Sequence, residues 1–462
     1  MIENFRQKYI GDIKFYRRYL SLALPMILQN AITNLVNFLD NIMVGQLGTE
    51  QMSGVAIVNQ LIFVFNLAIF GVVSAGSIFG AQYYGKGDHK GHMYSFRFKL
   101  YAALLVTGLA ILLFATKGTD LISLYLTDRT GDGAVLETLQ YGRRYLGIMV
   151  AGLIPFAVNQ SYATNIKETG QTMIPMLASF AAVGSNAVLD YFLIFGIGPF
   201  PKLGVTGAAL ATVLARYIEA LIIILWAHSH RKANKYLTGA YTGFGIPKAE
   251  FKAIMIKGFP LMLNEVMWAA GMTVATQCYS IRGLEVVAAL NIATTIANLF
   301  NIIYIQLGGC ISIVVGQYLG AGELEKAKDA DNKMIVFSVF CCTATACLML
   351  VLGRYFPGIY NTTTEIKALA TRFIAVLAVI MPFCSFSHAS YFTLRSGGKT
   401  LVTFLFDSVF TWVIVVPLAF VLAHFTGLGI VSVYFLVQAT ELIKVTIGYH
   451  MVKSNVWLVQ MV

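Results

Sequence analysis

Long apolar runs alternate with short polar, mostly basic segments along the whole chain. Twelve such runs can be drawn, at 20–44, 53–81, 95–115, 140–162, 172–196, 204–228, 253–281, 286–318, 333–352, 366–393, 400–424 and 428–451. A helix that crosses a bilayer needs roughly 20 apolar residues, so each run is long enough. Several exceed about 25 residues, for which tilt, kinks or protruding ends are expected. The runs are continuous and lack the ten-residue alternation of a membrane β-strand, which excludes a barrel. The pattern predicts an all-α membrane protein with twelve transmembrane helices.

An even number of spans puts both termini on one side, and the basic residues choose the side. Of the 33 Lys and Arg, 22 fall on the amino-terminal side, among them Arg6, and nine on the other, among them Arg129; Arg216 and Lys444 fall inside spans. Cytoplasmic loops carry the excess of Lys and Arg, so both termini are expected in the cytoplasm of a multi-pass cell-membrane protein. Composition agrees: of 462 residues 57% are hydrophobic and only 12% charged, against about 25% charged in soluble domains. This excludes a soluble multi-domain enzyme, a disordered chain and a secreted disulfide scaffold. The net charge of +11 does not imply nucleic acid, because the basic residues are scattered between spans. The six cysteines lie in or beside apolar runs without CxxC or Cys/His spacing, so neither disulfides nor a metal cofactor is expected. The opening residues are too charged for a cleavable signal and read as an amphipathic lead-in.

Pro25 to Gly87 aligns without a gap on Pro260 to Gly322, with thirteen identities that include Gly48/Gly283, Glu50/Glu285, Asn66/Asn301, Gln82/Gln317, Gly85/Gly320 and Gly87/Gly322. Glu219 pairs similarly with Glu441. The chain therefore reads as two parallel halves of six spans, related by an axis along the membrane normal. Residues 1–227 form one bundle, 228–250 a basic cytoplasmic linker, and 251–462 the second bundle.

The stretch DNIMVGQLGTEQMSGVAIVNQ, the motif AQYYGKGD with its echo GQYLGAGE, and GVTGAALATVLARYIEA resemble the multidrug and toxic compound extrusion (MATE) family, in its prokaryotic DinF-like and NorM-like branches. The resemblance covers about 15–451. It implies two six-helix bundles forming a V, related by pseudo-two-fold symmetry. It also implies an antiporter that exports organic cations by alternating access, driven by inward H⁺ or Na⁺, with no other cofactor. Expected partners are small cationic compounds and the lipid bilayer, for a protein acting as a monomer.

Ionisable residues inside a membrane are costly and are functional candidates by default. Counting from Arg18 puts Asp40 roughly 30 Å along its helix, in the outer part. Asn186 and Asp190, about 14 and 18 residues beyond Thr172, reach a similar depth and share one helix face. Two carboxyls and an amide could hold a proton or a small hard cation such as Na⁺. DinF-like branches carry an Asp on the first helix and Asn-x-x-x-Asp on the fifth, which Asp40, Asn186 and Asp190 match. Thr206 is a further candidate ligand. In the second half Glu265, His388 and Asp407 all lie roughly 10–12 Å from the cytoplasmic boundary. The two acids could attract a cationic substrate, and the imidazole could titrate near neutral pH. NorM-like branches also use an acid on helix seven, although on helix ten this chain offers His388. Arg216/Glu219 and Glu441/Lys444 are i,i+3 pairs at equivalent places in the two halves, expected to neutralise locally as structural pairs.

GGKT at 397–400 lacks the first glycine and the preceding strand of a phosphate-binding loop, so ATP hydrolysis is not expected. A flippase for lipid-linked precursors, from the same broader superfamily, would favour a cationic cavity, and both intramembrane bases have acidic neighbours. A membrane-embedded enzyme would need HExxH, GxSxG or paired catalytic acids, which are absent.

Overall fold

The computed structural model describes residues 8–126, 132–243 and 245–462, without the side chains of Phe38 and Asp132. Arg6 and Arg129 of the charge count, and Phe244 of the linker, lie outside the described residues. Twelve long helical elements follow in chain order. They are α1 (Ile13–Gly45), α2 (Thr49–Lys86), α3 (His89–Ser123), α4 (Gly133–Glu168), α5 (Met173–Phe195) and α6 (Val205–Ser229). In the second half come α7 (Lys248–Ser280), then α8 (Leu284–Gly320), α9 (Leu324–Gly353), α10 (Thr364–Ser396), α11 (Thr400–Phe425) and α12 (Ile430–Lys453). No strand occurs among the described residues. The shortest, α5, has 23 residues, about 34 Å at 1.5 Å per residue, enough to cross a hydrocarbon core.

Eleven of these helices are long and apolar enough to span a membrane. The twelfth, α7, has 33 residues but carries Lys248, Lys252, Lys257, Asn264 and Glu265 along its first half, which dilutes its hydropathy. Its equivalence to α1 through the repeat, including Pro25 and Pro260 each inside a helix, is what identifies it as a span. The bundles have an apolar exterior. On α6, Leu214, Leu221 and Leu225 are exposed at 45, 56 and 59%. They lie seven and eleven positions apart on one face, and such stripes belong against lipid.

The chain divides into two compact units. One consists of Met1–Ile27, Ala81–Asp88 and Ala253–Val462 and the other of Leu28–Gly80 and His89–Lys252. In the first, α7, α8, α9, α10, α11 and α12 close over a core that includes Leu290, Met349, Phe373 and Tyr434. A second core there joins Tyr19 of α1 to Leu307, Met334 and Trp457. The Tyr19 hydroxyl donates to the Leu307 carbonyl at 2.9 Å. In the other unit, Val58, Ile69, Leu153 and Ile194 centre the core.

The repeated motifs touch each other within the first unit. A Cβ on Gly85 would fall 1.9 Å from the Gln317 carbonyl oxygen, and one on Gly320 would fall 1.9 Å from that of Gln82. Each motif thus presents its glycine to the other's glutamine backbone, an approach that only a missing side chain permits. The Gln82 side chain donates to the Ser396 carbonyl at 2.9 Å and accepts from the Met461 amide at 2.7 Å.

Residues 228–250 are folded on the second unit. Tyr236, Leu237 and Ala240 are buried, and the Arg97 guanidinium donates to the carbonyls of Ala240, Gly245 and Gly239 at 2.9, 2.7 and 2.7 Å.

Candidate ion and substrate sites

The helical register of α5 turns Asn186 and Asp190 to its packed face, where they are 6 and 1% exposed. Asp40 of α1, half-buried, interacts with Asp190, as does Asn186. Neither oxygen of Asp190, nor Oδ1 of Asp40, nor Nδ2 of Asn186 finds a hydrogen-bond partner among the described residues. Buried polar groups are almost always paired, and an isolated buried carboxylate is very costly. The cluster can therefore share a proton between its carboxyls or hold a small hard cation. Tyr145 of α4 lies within electrostatic reach of Asp40, Asp190 and Arg216, and its hydroxyl lies 3.4 Å from Asn59 Oδ1. Sequence reasoning missed Tyr145 and Asn59, since neither carries charge. Thr206 sits in the first turn of α6 and makes no side-chain hydrogen bond to the carboxyls among the described residues.

Arg216 and Glu219 do not form an ion pair within 4 Å among the described residues. Arg216 Nη1 donates to the Gly152 carbonyl at 3.3 Å and the guanidinium lies 5.2 Å from the centre of the Phe156 ring. Glu219 accepts from Ser179, which accepts from Gln29 Nε2 at 2.7 Å.

In the carboxy-terminal half, Asp407 lies in a π-helical turn of α11, Leu405–Val409. Such turns insert a residue and re-aim side chains, often at functional sites. Its Oδ1 accepts from Lys444 Nζ at 3.0 Å and its Oδ2 from Asn264 Nδ2 at 3.1 Å. Ser408 in turn donates to Asn264 Oδ1 at 2.7 Å. Lys444 lies 4.0 Å from Glu441, so its amine pairs across to α11 more closely than along α12. His388 Nδ1 lies 3.0 Å from the Cys384 carbonyl, its ring packs 4.7 Å from that of Tyr304, and it is within electrostatic reach of Lys444, Asp407 and Glu441. Glu265, half-buried, stands at the edge of this group, within reach of Arg395 and Asp407. The structure thus brings Asp407, His388, Glu441 and Lys444 together with Glu265 beside them. Asp407 has both oxygens engaged by protein donors.

A third buried cluster escaped the sequence reading. Glu168 accepts from Lys99 and Ser77, both at 2.6 Å, and lies 3.2 Å from His92 Nε2. Lys99 is ten residues into α3 whereas Glu168 ends α4, so counting along each helix sets them roughly 15 Å apart in depth and does not pair them.

Helices long enough to span a bilayer, lipid-facing leucine stripes and unpartnered charges in the interior define a many-pass membrane transporter, not an enzyme. The MatE family model matches residues 25–192 and 260–421, and the chain belongs to that family. The chain is 22% identical over 444 residues to a probable multidrug resistance protein NorM of Thermotoga maritima, covering 96% of this chain and 93% of that one. A probable multidrug resistance protein NorM of Pseudomonas aeruginosa is 26% identical over 427 residues, with 90 and 84% covered. The crystal structure of a point mutant of the Vibrio cholerae MATE transporter VcmN superposes with TM-score 0.85 at 15% identity, covering 96 and 97%, which establishes the shared fold.

Proposed function

We propose that this transporter exports small organic cations and drugs from the cell in exchange for inward H⁺ or Na⁺. The observation that carries the reading is Asp190, 1% exposed and interacting with Asp40 and Asn186, with neither oxygen in a well-formed hydrogen bond among the described residues. Asp40 and Asp190 accept the coupling ion and Asn186 orients it. Glu265, at the edge of the Asp407 cluster, attracts the cationic substrate. Ion binding shifts the balance between inward-open and outward-open arrangements only if the ion prefers one of them. Carboxyls that are charged when empty and neutralised when occupied supply that preference. The protein resides in the cell membrane with both termini cytoplasmic, as the 22 basic residues on the amino-terminal side indicate.

The test is ethidium efflux from proteoliposomes with pH and Na⁺ gradients imposed separately. One of the two gradients should drive efflux. Asp40→Asn and Asp190→Asn should each lower gradient-driven efflux at least tenfold while ethidium binding changes less than about threefold, a separation expected when only ion coupling is lost. An Asp40→Asn protein that exports like the wild type, with the same ion dependence, would refute the assignment.

A further inference from the structure

Apart from both charge clusters, the first turns of α1 close one side of a cavity of about 230 Å³. It is lined by Lys14, Phe15, Arg18 and Tyr19 of α1, with Val314 and Tyr318 of α8 and Met334 of α9, and no acidic side chain among the described residues lines it. Lys14 and Arg18 are four residues apart and so share a face. Neither forms an ion pair among the described residues. Arg18 Nη1 lies 3.5 Å from the Tyr318 hydroxyl, at the limit of a hydrogen bond. The neighbouring Lys333, whose amine lies 6.0 Å from the Phe15 ring centre, is by contrast held by Asp329 at 2.6 Å. Among the described residues the cavity therefore presents two cations without an ion-pair partner on an aromatic and aliphatic wall. Beside them on α1 runs an open apolar stripe, Ile13, Leu20 and Leu24, exposed at 86, 40 and 51%, in seven- and four-residue steps that keep it on one face.

A ligand that satisfies all of these features has an anionic head and hydrocarbon beside it. We infer that this cavity binds the headgroup of an anionic glycerophospholipid. The phosphodiester lies between Lys14 and Arg18, and the acyl chains lie along Ile13, Leu20 and Leu24. The space suits a headgroup and is too small for a whole lipid. Basic side chains at the mouth of a span attract anionic lipid. That the lipid belongs to the cytoplasmic leaflet rests on the orientation proposed above. The binding itself does not depend on the transport reaction.

Native mass spectrometry of the full-length protein in detergent tests this with dioleoylphosphatidylglycerol and dioleoylphosphatidylcholine. The wild type should retain phosphatidylglycerol at least tenfold better than phosphatidylcholine. Lys14→Gln/Arg18→Gln should lower phosphatidylglycerol retention to the phosphatidylcholine level. Arg17→Gln, exposed on the same helix but outside the lining, should not. Glycerol 3-phosphate at millimolar concentration should fail to displace the lipid. Equal retention of the two lipids by the wild type, an equal loss in Arg17→Gln, or full displacement by glycerol 3-phosphate would each overturn the assignment. If the double variant does not fold, thermal melting of the wild type decides. Phosphatidylglycerol should raise the melting temperature and phosphatidylcholine should not, and equal shifts would overturn the site.

Discussion

Both oxygens of Asp407 are engaged, by Lys444 and Asn264, whereas those of Asp190 make no well-formed hydrogen bond among the described residues. The two aspartates, Asp190 on a regular α-helix and Asp407 in a π turn, thus have different chemistry open to them. On the proposed reading Asp190 takes up and releases an ion at little cost to its neighbours. Asp407 must first give up a lysine, which suits a group that locks α11 to α12 and α7. The consequence is measurable in stability. Removing one partner of a buried ion pair leaves the other uncompensated and typically costs about 3–5 kcal/mol, while replacing both is often neutral. Lys444→Met should therefore lower the melting temperature in detergent by several degrees, and Lys444→Met/Asp407→Leu should recover most of the loss. A double variant no more stable than the single one would mean that Asp407 is held chiefly through Asn264 and Ser408.

At the scale of the element, the reciprocal approach of Gly85 to Gln317 and Gly320 to Gln82 explains why the two motifs match best where α2 and α8 end. Overpacking a tight contact costs about 1–3 kcal/mol. Gly85→Ala and Gly320→Ala should each destabilise the protein on that scale in thermal melts. Gly108→Ala on α3, whose Cβ would meet nothing within 4 Å, should change little. That much was legible in the sequence, because hydropathy, the ungapped repeat and the count of residues along a helix all act along the chain. Counting along single helices also placed Asp40, Asn186 and Asp190 at one depth, where the structure brings them together. What the sequence did not disclose lies sideways between helices. The amine of Lys444 has a neighbour one turn away on its own helix but reaches Asp407, 37 positions distant. The π turn that aims Asp407 leaves no mark in the hydrophobic pattern. Arg216 likewise takes a backbone carbonyl across a helix contact in preference to its own Glu219. Neutral partners such as Tyr145, Asn59 and Asn264 carry no charge that would single them out from the many polar residues in spans.

For the whole molecule, the segment joining the two repeat halves has a structure of its own. Its Gly-containing, basic sequence reads as a connector, and the structure shows it folded as a strap. Tyr236 is 1% exposed and packs 5.0 Å from the His92 ring and 5.2 Å from that of Phe96, while Tyr162 and Tyr241 join through their hydroxyls. Arg97 fastens the strap by gathering three of its carbonyls. A guanidinium presents five donors in a rigid planar fork, whereas a lysine offers a compact ammonium with three rotatable donors. The free chain before α7 is therefore shorter than the sequence spacing implies. Hydrogen bonds to a charged group contribute about 1.5–3 kcal/mol each, and about 1.4 kcal/mol corresponds to a factor of ten in population. Proteolysis of a segment that opens and closes rapidly follows its open population. Arg97→Ala should thus speed tryptic cleavage after Lys235, next to the buried Tyr236, at least tenfold. Cleavage after Arg231, exposed in the strap's first turn, should stay within about twofold because no Arg97 contact protects it. Peptide mapping by mass spectrometry distinguishes the two sites in one digest. An unchanged ratio would mean that the buried aromatic rings hold the strap without the arginine, and Tyr236→Ala would then have to show the effect instead.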